Sequence, residues 1–188
     1  MRAMTWYDHE TESLWSQPWG RAIIGPYKGI ELFLLPSELT TWGEWRARHA
    51  YTTALINDLE RFGRRRHAFS PDFVIGLVLD GQAKGFYFTD IAAAGIVNAA
   101  VGEIPVVLRA SGDSWQAYLR IADGRVLTFV YADDKVVDLE TGSSWDFTRE
   151  LATTGTLAGH ALQPVPSMSA FDWAWVDFYP EAALYHPL

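Results

Sequence analysis

"YDHETESLW" (Tyr7–Trp15) and "VDLETGSSW" (Val137–Trp145) are one motif written twice, and that repetition decides how this chain is built. Both copies read D-x-E-T-x-S-x-W. The offset of 130 holds without a gap from Tyr7–Tyr51 to Val137–Glu181. Twelve of the 45 aligned pairs are identical: Asp8/Asp138, Glu10/Glu140, Thr11/Thr141, Ser13/Ser143, Trp15/Trp145, Ala22/Ala152, Gly25/Gly155, Gly29/Gly159, Leu32/Leu162, Pro36/Pro166, Ser37/Ser167 and Trp45/Trp175. Self-similarity at one fixed offset marks an internal duplication.

The retained residues are of structural types. Asp and Thr side chains bond neighbouring backbone groups, and glycine supplies the positive φ of a tight turn. In the second copy Thr141-Gly142 follows the strand-like "DKVVDL" and precedes "SSW". The motif therefore reads as a hairpin with a buried tryptophan anchor. Glu12 stands where the second copy has Gly142, which predicts a looser first turn. A rival reading keeps Asp8, Glu10, Asp138 and Glu140 as weak catalytic candidates. Two carboxylates related by duplication can face each other as acid and base, although no spacing rule requires it.

Gly25-x-x-x-Gly29 and Gly155-x-x-x-Gly159 lack the Lys-Ser/Thr of a phosphate loop and read as turns. They lead into "IELFLLP" and "HALQPVP", each a short strand closed by proline. A helix follows in each copy. Thr41-Trp-Gly-Glu44 and Ser169-Ala-Phe-Asp172 have the form of capping boxes. Trp42, Trp45 and His49 recur at helical spacing, as do Phe171, Ala174, Trp175 and Phe178, so those stripes should pack on a sheet. Between the copies, "FVIGLVLDGQAKGFYF" carries the hairpin signal Asp80-Gly81. "TDIAAAGI" reads as a short helix capped by Thr89, and "IPVVLRA" as a buried strand. Asp123-Gly124 and Asp133-Asp134 separate further strands. The expectation is a β-dominated α+β fold of duplicated modules, each ending in a short helix. Residues 1–56 would be a truncated first repeat, 57–72 a connecting loop and 73–188 a complete second repeat, all in one compact domain.

Composition bounds the function. Hydrophobic residues at 49% and charged residues at 20% are globular values. Nine tryptophans supply large apolar surfaces for a core. A net charge of −8 and a pI near 5.0 repel nucleic-acid backbones and anionic membranes. The one basic run, "ERFGRRRH" (Glu60–His67), reads as a solvated loop. The chain has no cysteine, so within it there is no disulfide, thiolate metal site or thiol catalysis. No apolar stretch is long enough to span a membrane, and "MRAMTWYDHE" lacks the apolar middle of a signal peptide. As written, the chain reads as cytoplasmic. His9, His49, His67, His160 and His186 include no i,i+4 metal pair. No cofactor fingerprint or nucleophile elbow is present, so neither cofactor nor metal is expected.

The ordered string of motifs resembles the bacterial family called domain of unknown function 3179. The stretches that carry it are Tyr7–His49, "VIGLVLDGQAKGFYFTDIAAAGIVNAAVGEIPVVL" (Val74–Leu108), "DGRVLTF" (Asp123–Phe129) and "VDLETGSSWD" (Val137–Asp146). The resemblance covers nearly the whole chain. It implies a unit that starts with a segment like "VIGLVLDGQAKGFYF" and reaches the Trp hairpin later. The second unit has that segment and the first does not. The family often carries a Cys-x-x-Cys or selenocysteine stretch there, whereas the equivalent "VVLRASGD" (Val106–Asp113) has no Cys. The resemblance thus implies a reading frame extending upstream of Met1, and an upstream half or a homodimer as partner. Two functions follow as expectations. One is a noncatalytic binding or scaffold part of a larger, redox-active protein. The alternative is an enzyme with a carboxylate-lined aromatic pocket between the repeats.

Overall fold

The structure, a computed structural model, describes residues 3–55 and 72–185. The basic run, His67, His186 and all of the connecting segment except Asp72 lie outside the described residues.

In the first module, β1 (Thr5–Asp8), β2 (Ser13–Ser16) and β3 (Arg21–Ile24) form an antiparallel meander, and α1 (Trp42–Arg48) follows. Next come β4 (Phe73–Leu79), β5 (Gln82–Tyr87), α2 (Phe88–Ala94), β6 (Ile96–Val101), β7 (Ile104–Ser111), β8 (Ser114–Leu119), β9 (Ile121–Ala122) and β10 (Arg125–Val126). The chain continues with β11 (Phe129–Ala132), β12 (Lys135–Asp138), β13 (Ser144–Asp146), β14 (Leu151–Thr154), β15 (Gln163–Pro164), β16 (Ser167–Phe171), α3 (Asp172–Phe178) and β17 (Ala183–Tyr185). Strand takes 47% and helix 13%, so sheets carry the fold, as expected of a β-dominated α+β chain. The three sheets of the second module run β11-β12-β13-β14, β15-β8-β7-β6 and β16-β4-β5-β17, with β9 and β10 as a separate ribbon. Among the described residues every strand pairing is antiparallel except that of β17 with β5. The turns Asp80-Gly81, Asp123-Gly124 and Asp133-Asp134 all have positive φ at both residues, the mirror-image turns that match strand twist.

The duplication is visible in the backbone. Trp15 faces Ala22 across β2–β3, and Trp145 faces Ala152 across β13–β14. The register slips at the same place in both, between Leu14 and Trp15 and between Ser144 and Trp145. The next turn repeats too: Gly29 N–H donates to Ala22 O, and Gly159 N–H to Ala152 O, each at 2.8 Å. The two copies touch through reciprocal bonds. Ser37 Oγ donates to Ser167 O and Ser167 Oγ donates to Ser37 O, both at 3.2 Å, beside a Pro36–Pro166 bridge. Contacts of i with j and of j with i are the signature of a two-fold relation.

Four local expectations are corrected. The first turn is not looser: Glu12 takes φ 56° where Gly142 takes 69°, so the fold imposes the same turn on a residue that dislikes it. "IELFLLP" makes isolated bridges at Glu31 and Pro36 and no strand, whereas "HALQPVP" yields β15 because β8 lies beside it. Thr41 does form a full capping box with Glu44, but Ser169 is held in β16 opposite Ile75, and α3 starts two residues later, after Phe171. Thr89 lies inside α2, whose N-cap is Tyr87.

Two cores lie on opposite faces of β15-β8-β7-β6. Side chains alternate along a strand. Val106, Leu108 and Ala110 of β7 therefore join Ile75, Leu77, Phe86, Ile91 and Trp115 on one side. Val107 and Tyr118 join Leu127, Phe129, Trp145, Phe147 and Leu162 on the other. The helical stripes behave unequally. Trp175 is 1% exposed, pressed between Gly76 and Gly85, where an added Cβ would come within 2.1 Å and 2.8 Å of its ring. Gly76 and Gly85 face each other across β4–β5. Their missing side chains form the slot. Trp45 is only partly buried, and no residue of α1 is fully buried.

Candidate functional site

The turn carboxylates bind their own turns. Asp8 accepts from Glu10 N–H at 2.9 Å and from the Thr11 hydroxyl, and that hydroxyl holds its carboxyl below the usual value. Asp138 is fully buried and accepts from Thr141 N–H at 2.6 Å, the Thr141 hydroxyl at 2.9 Å and Trp145 Nε1 at 2.8 Å. Ser143 Oγ reaches across the module to accept from Leu157 N–H at 3.1 Å, as Ser13 Oγ does from Tyr27 N–H at 3.2 Å. Glu140 accepts from Thr128 N–H at 2.7 Å, and Glu10 is exposed. None of these four carboxylates lines the cleft that Glu38 and Tyr118 flank.

That cleft, of about 810 Å³, opens between the two copies. Pro36–Glu38 and the Trp45–His49 end of α1 form one wall. Gln116–Tyr118 of β8, the turn Thr148–Glu150 and Pro164 form the other. The first module reaches it because Leu39 bridges to Trp115, whose N–H donates to Leu39 O at 3.0 Å. Inside, Arg48 pairs with Glu38, and each side chain is 14% exposed. Gln116 Nε2 donates to Glu38 at 3.1 Å. The Tyr118 hydroxyl donates to Glu150 at 3.2 Å and lies 3.3 Å from Phe147 O. Burial, reinforced by the Glu150 charge, pushes the Tyr118 phenol well above its ordinary value of 10.0. It is a neutral donor across the physiological range. His49 lies against the Trp45 ring, centroids 3.9 Å apart, and Trp45 Nε1 donates to Thr52 at 2.9 Å.

An adjoining hollow of about 90 Å³ holds Glu44, Ser114 and Arg109 among its walls. The Thr40 and Ser114 hydroxyls, each at 2.8 Å, and the Thr41 N–H lower the Glu44 carboxyl to about 2. Among the described residues no cluster of three or more His, Asp or Glu could hold a metal ion, and no helix is long and apolar enough to cross a membrane.

The cleft lies where the copies diverge. Glu150 holds φ 59° where its counterpart Gly20 has φ 59° as well, so a charged residue occupies a backbone position that suits glycine. Arg48, His49, Thr148 and Arg149 correspond to Phe178, Tyr179, Pro18 and Trp19. Those four fill the matching crevice: Trp19 packs edge-on against Phe178 at 5.2 Å and donates to Phe178 O, and the Tyr179 hydroxyl donates to Pro18 O at 3.0 Å. One crevice is closed by aromatics. Its pseudo-symmetric mate is open, with charged residues set among apolar ones. Sequence reasoning missed Glu38, Arg48, Gln116, Tyr118 and Glu150. For Glu38, Arg48 and Glu150 the signal that could have found them is this change of residue type at paired positions, whereas Gln116 and Tyr118 lie outside the duplicated stretch and carried no such signal.

The profile of the family described as "Protein of unknown function (DUF3179)" matches residues 1–69 and again residues 64–182. The chain belongs to this family. Each of the two matches contains one copy of the repeat. No curated protein and no solved structure matches the chain.

Proposed function

We propose that this family member is a noncatalytic binding and scaffold module, and that its binding surface is the cleft between the copies with the apolar segment beside it. The observation that carries the reading is how the polar groups of the cleft are used. Glu38 is taken by Arg48 and Gln116, and Glu150 by Tyr118. General acid–base chemistry needs a group within reach of substrate and poised to exchange a proton. Here Glu38 joins the two walls through Gln116, Glu150 ties its turn to β8 through Tyr118, and the phenol of Tyr118 keeps its proton. The surrounding Trp45, Pro36 and Pro164 suit a polypeptide surface. The chain is then part of a larger assembly. Thiol or selenol chemistry in that assembly would come from residues other than these 188, which include no cysteine.

The test is conversion. The purified chain is incubated with a bacterial metabolite extract, and mass spectrometry follows compounds consumed and formed. No compound should change beyond the boiled control. A compound converted by the wild type and spared by Glu38→Gln or Glu150→Gln would overturn the noncatalytic reading and favour the carboxylate-lined pocket as an enzyme site.

A further inference from the structure

We propose that the exposed face formed by Ile30–Leu39 and Trp45 docks an antiparallel β-sheet segment built like Phe73–Leu119, whose two facing glycines receive the Trp45 ring. The argument is a comparison of paired positions. Leu32 is 53% exposed and its counterpart Leu162 is 5% exposed. Leu35 is 72% exposed and Val165 is 3% exposed. Ser37 is exposed and Ser167 buried, and Trp45 is partly covered where Trp175 is sealed. A run of exposed apolar residues whose counterparts are buried in both cores marks an interaction surface.

The covering of the second set identifies the occupant of the first. Val165 joins the core of Ile75, Phe86, Phe88 and Trp115. Leu162 joins Val107 and Tyr118. Trp175 sits in the Gly76–Gly85 slot, and β16 pairs with β4 from Ser167–Leu77 to Phe171–Phe73. All these partners lie between Phe73 and Leu119. The equivalent segment Ser37–Thr41 makes one described bridge, from Leu39 to Trp115. The exposed face is also continuous with the existing interface between copies at Pro36–Pro166 and Ser37–Ser167. An incoming strand in the register of β4 would place one glycine opposite Glu38, as Gly76 stands opposite Met168. A second copy of this chain is the poorer occupant. Its β4 and β5 are both interior in β16-β4-β5-β17, and its slot already holds Trp175.

This inference rests on the binding reading above. Conversion of a metabolite would sink that reading, whereas amide exchange decides this one. The experiment adds a second Phe73–Val130 directly before Met1, which reproduces the offset of 130 between copies. The unextended chain is the reference. Amide exchange at residues 32–45 should slow about tenfold or more in the extended chain, and dye binding to exposed apolar surface should fall. Gly76→Val and Gly85→Val made in the prefix alone should abolish the protection around Trp45. A prefix that folds yet leaves residues 32–45 exchanging as before would overturn the proposal, and so would a valine prefix that protects equally well. A prefix that shows no added strand signal in far-UV circular dichroism also overturns it, because the face should template the strands. In the unextended chain, Leu35→Asp should leave Tm almost unchanged while Val165→Asp abolishes folding. A dimeric reference chain with residues 32–45 already protected would assign the face to a second copy instead.

Discussion

At the residue scale, two positions trade glycine for glutamate between the copies. Glu12 and Gly142 share one left-handed position, as do Gly20 and Glu150. A side chain there costs roughly 1–2 kcal/mol, offset in part by the chain entropy that glycine would lose. Glu12→Gly should therefore stabilise by about 0.5–1 kcal/mol, read as a higher denaturant midpoint. A loss of stability would mean that the Glu12 side chain makes a contact that outweighs its backbone. Tyr118 gives a pH prediction. Its folded pKa lies above the unfolded value, so its contribution is present below about pH 10 and is lost as the pH climbs beyond that. Tyr118→Phe should cost about 1 kcal/mol at pH 7 and flatten the alkaline limb of the stability curve. Glu44 works in the other direction. Its carboxyl is lowered to about 2, so its contribution is full above about 4.5 and fades as the pH falls toward 2. Glu44→Gln should flatten that acid limb.

At the element scale, the hairpins were legible in the sequence because their determinants are local. Asp-Gly pairs set the turns, and alternation set the strands. The D-x-E-T-x-S-x-W turn is closed by hydrogen bonds between residues two to seven apart. Trp145→Ala should cost about 3–5 kcal/mol through the cavity alone. It would also remove one of the bonds to the buried Asp138 carboxylate. A cost below about 1 kcal/mol would contradict the anchor reading. Helix starts were harder to read. Ser169 has the right side chain for a cap, but the pairing of β16 with β4 extends the strand past it. Thr41 has no such strand to continue, so there the capping box wins. Thr41→Ala should cost about 1 kcal/mol, with the loss confined to the exchange of α1 amides.

At the scale of the whole molecule, duplication built two like hairpin modules, and their surroundings then diverged. The cleft was hidden from sequence reading because its walls come from residues as far apart as Glu38 and Gln116 or Tyr118 and Glu150. Only the unlike pairs at offset 130, such as Trp19 with Arg149 and Gly20 with Glu150, carried its trace. The same divergence leaves Trp45 on a surface while Trp175 fills a glycine slot. The most direct test of this account compares Trp45→Ala with Trp175→Ala in the unextended chain by equilibrium denaturant unfolding. The account predicts a loss of about 3–5 kcal/mol for Trp175→Ala and about 1 kcal/mol or less for Trp45→Ala. Equal losses at the two positions would contradict it, because the first module's face would then be as covered as the second's.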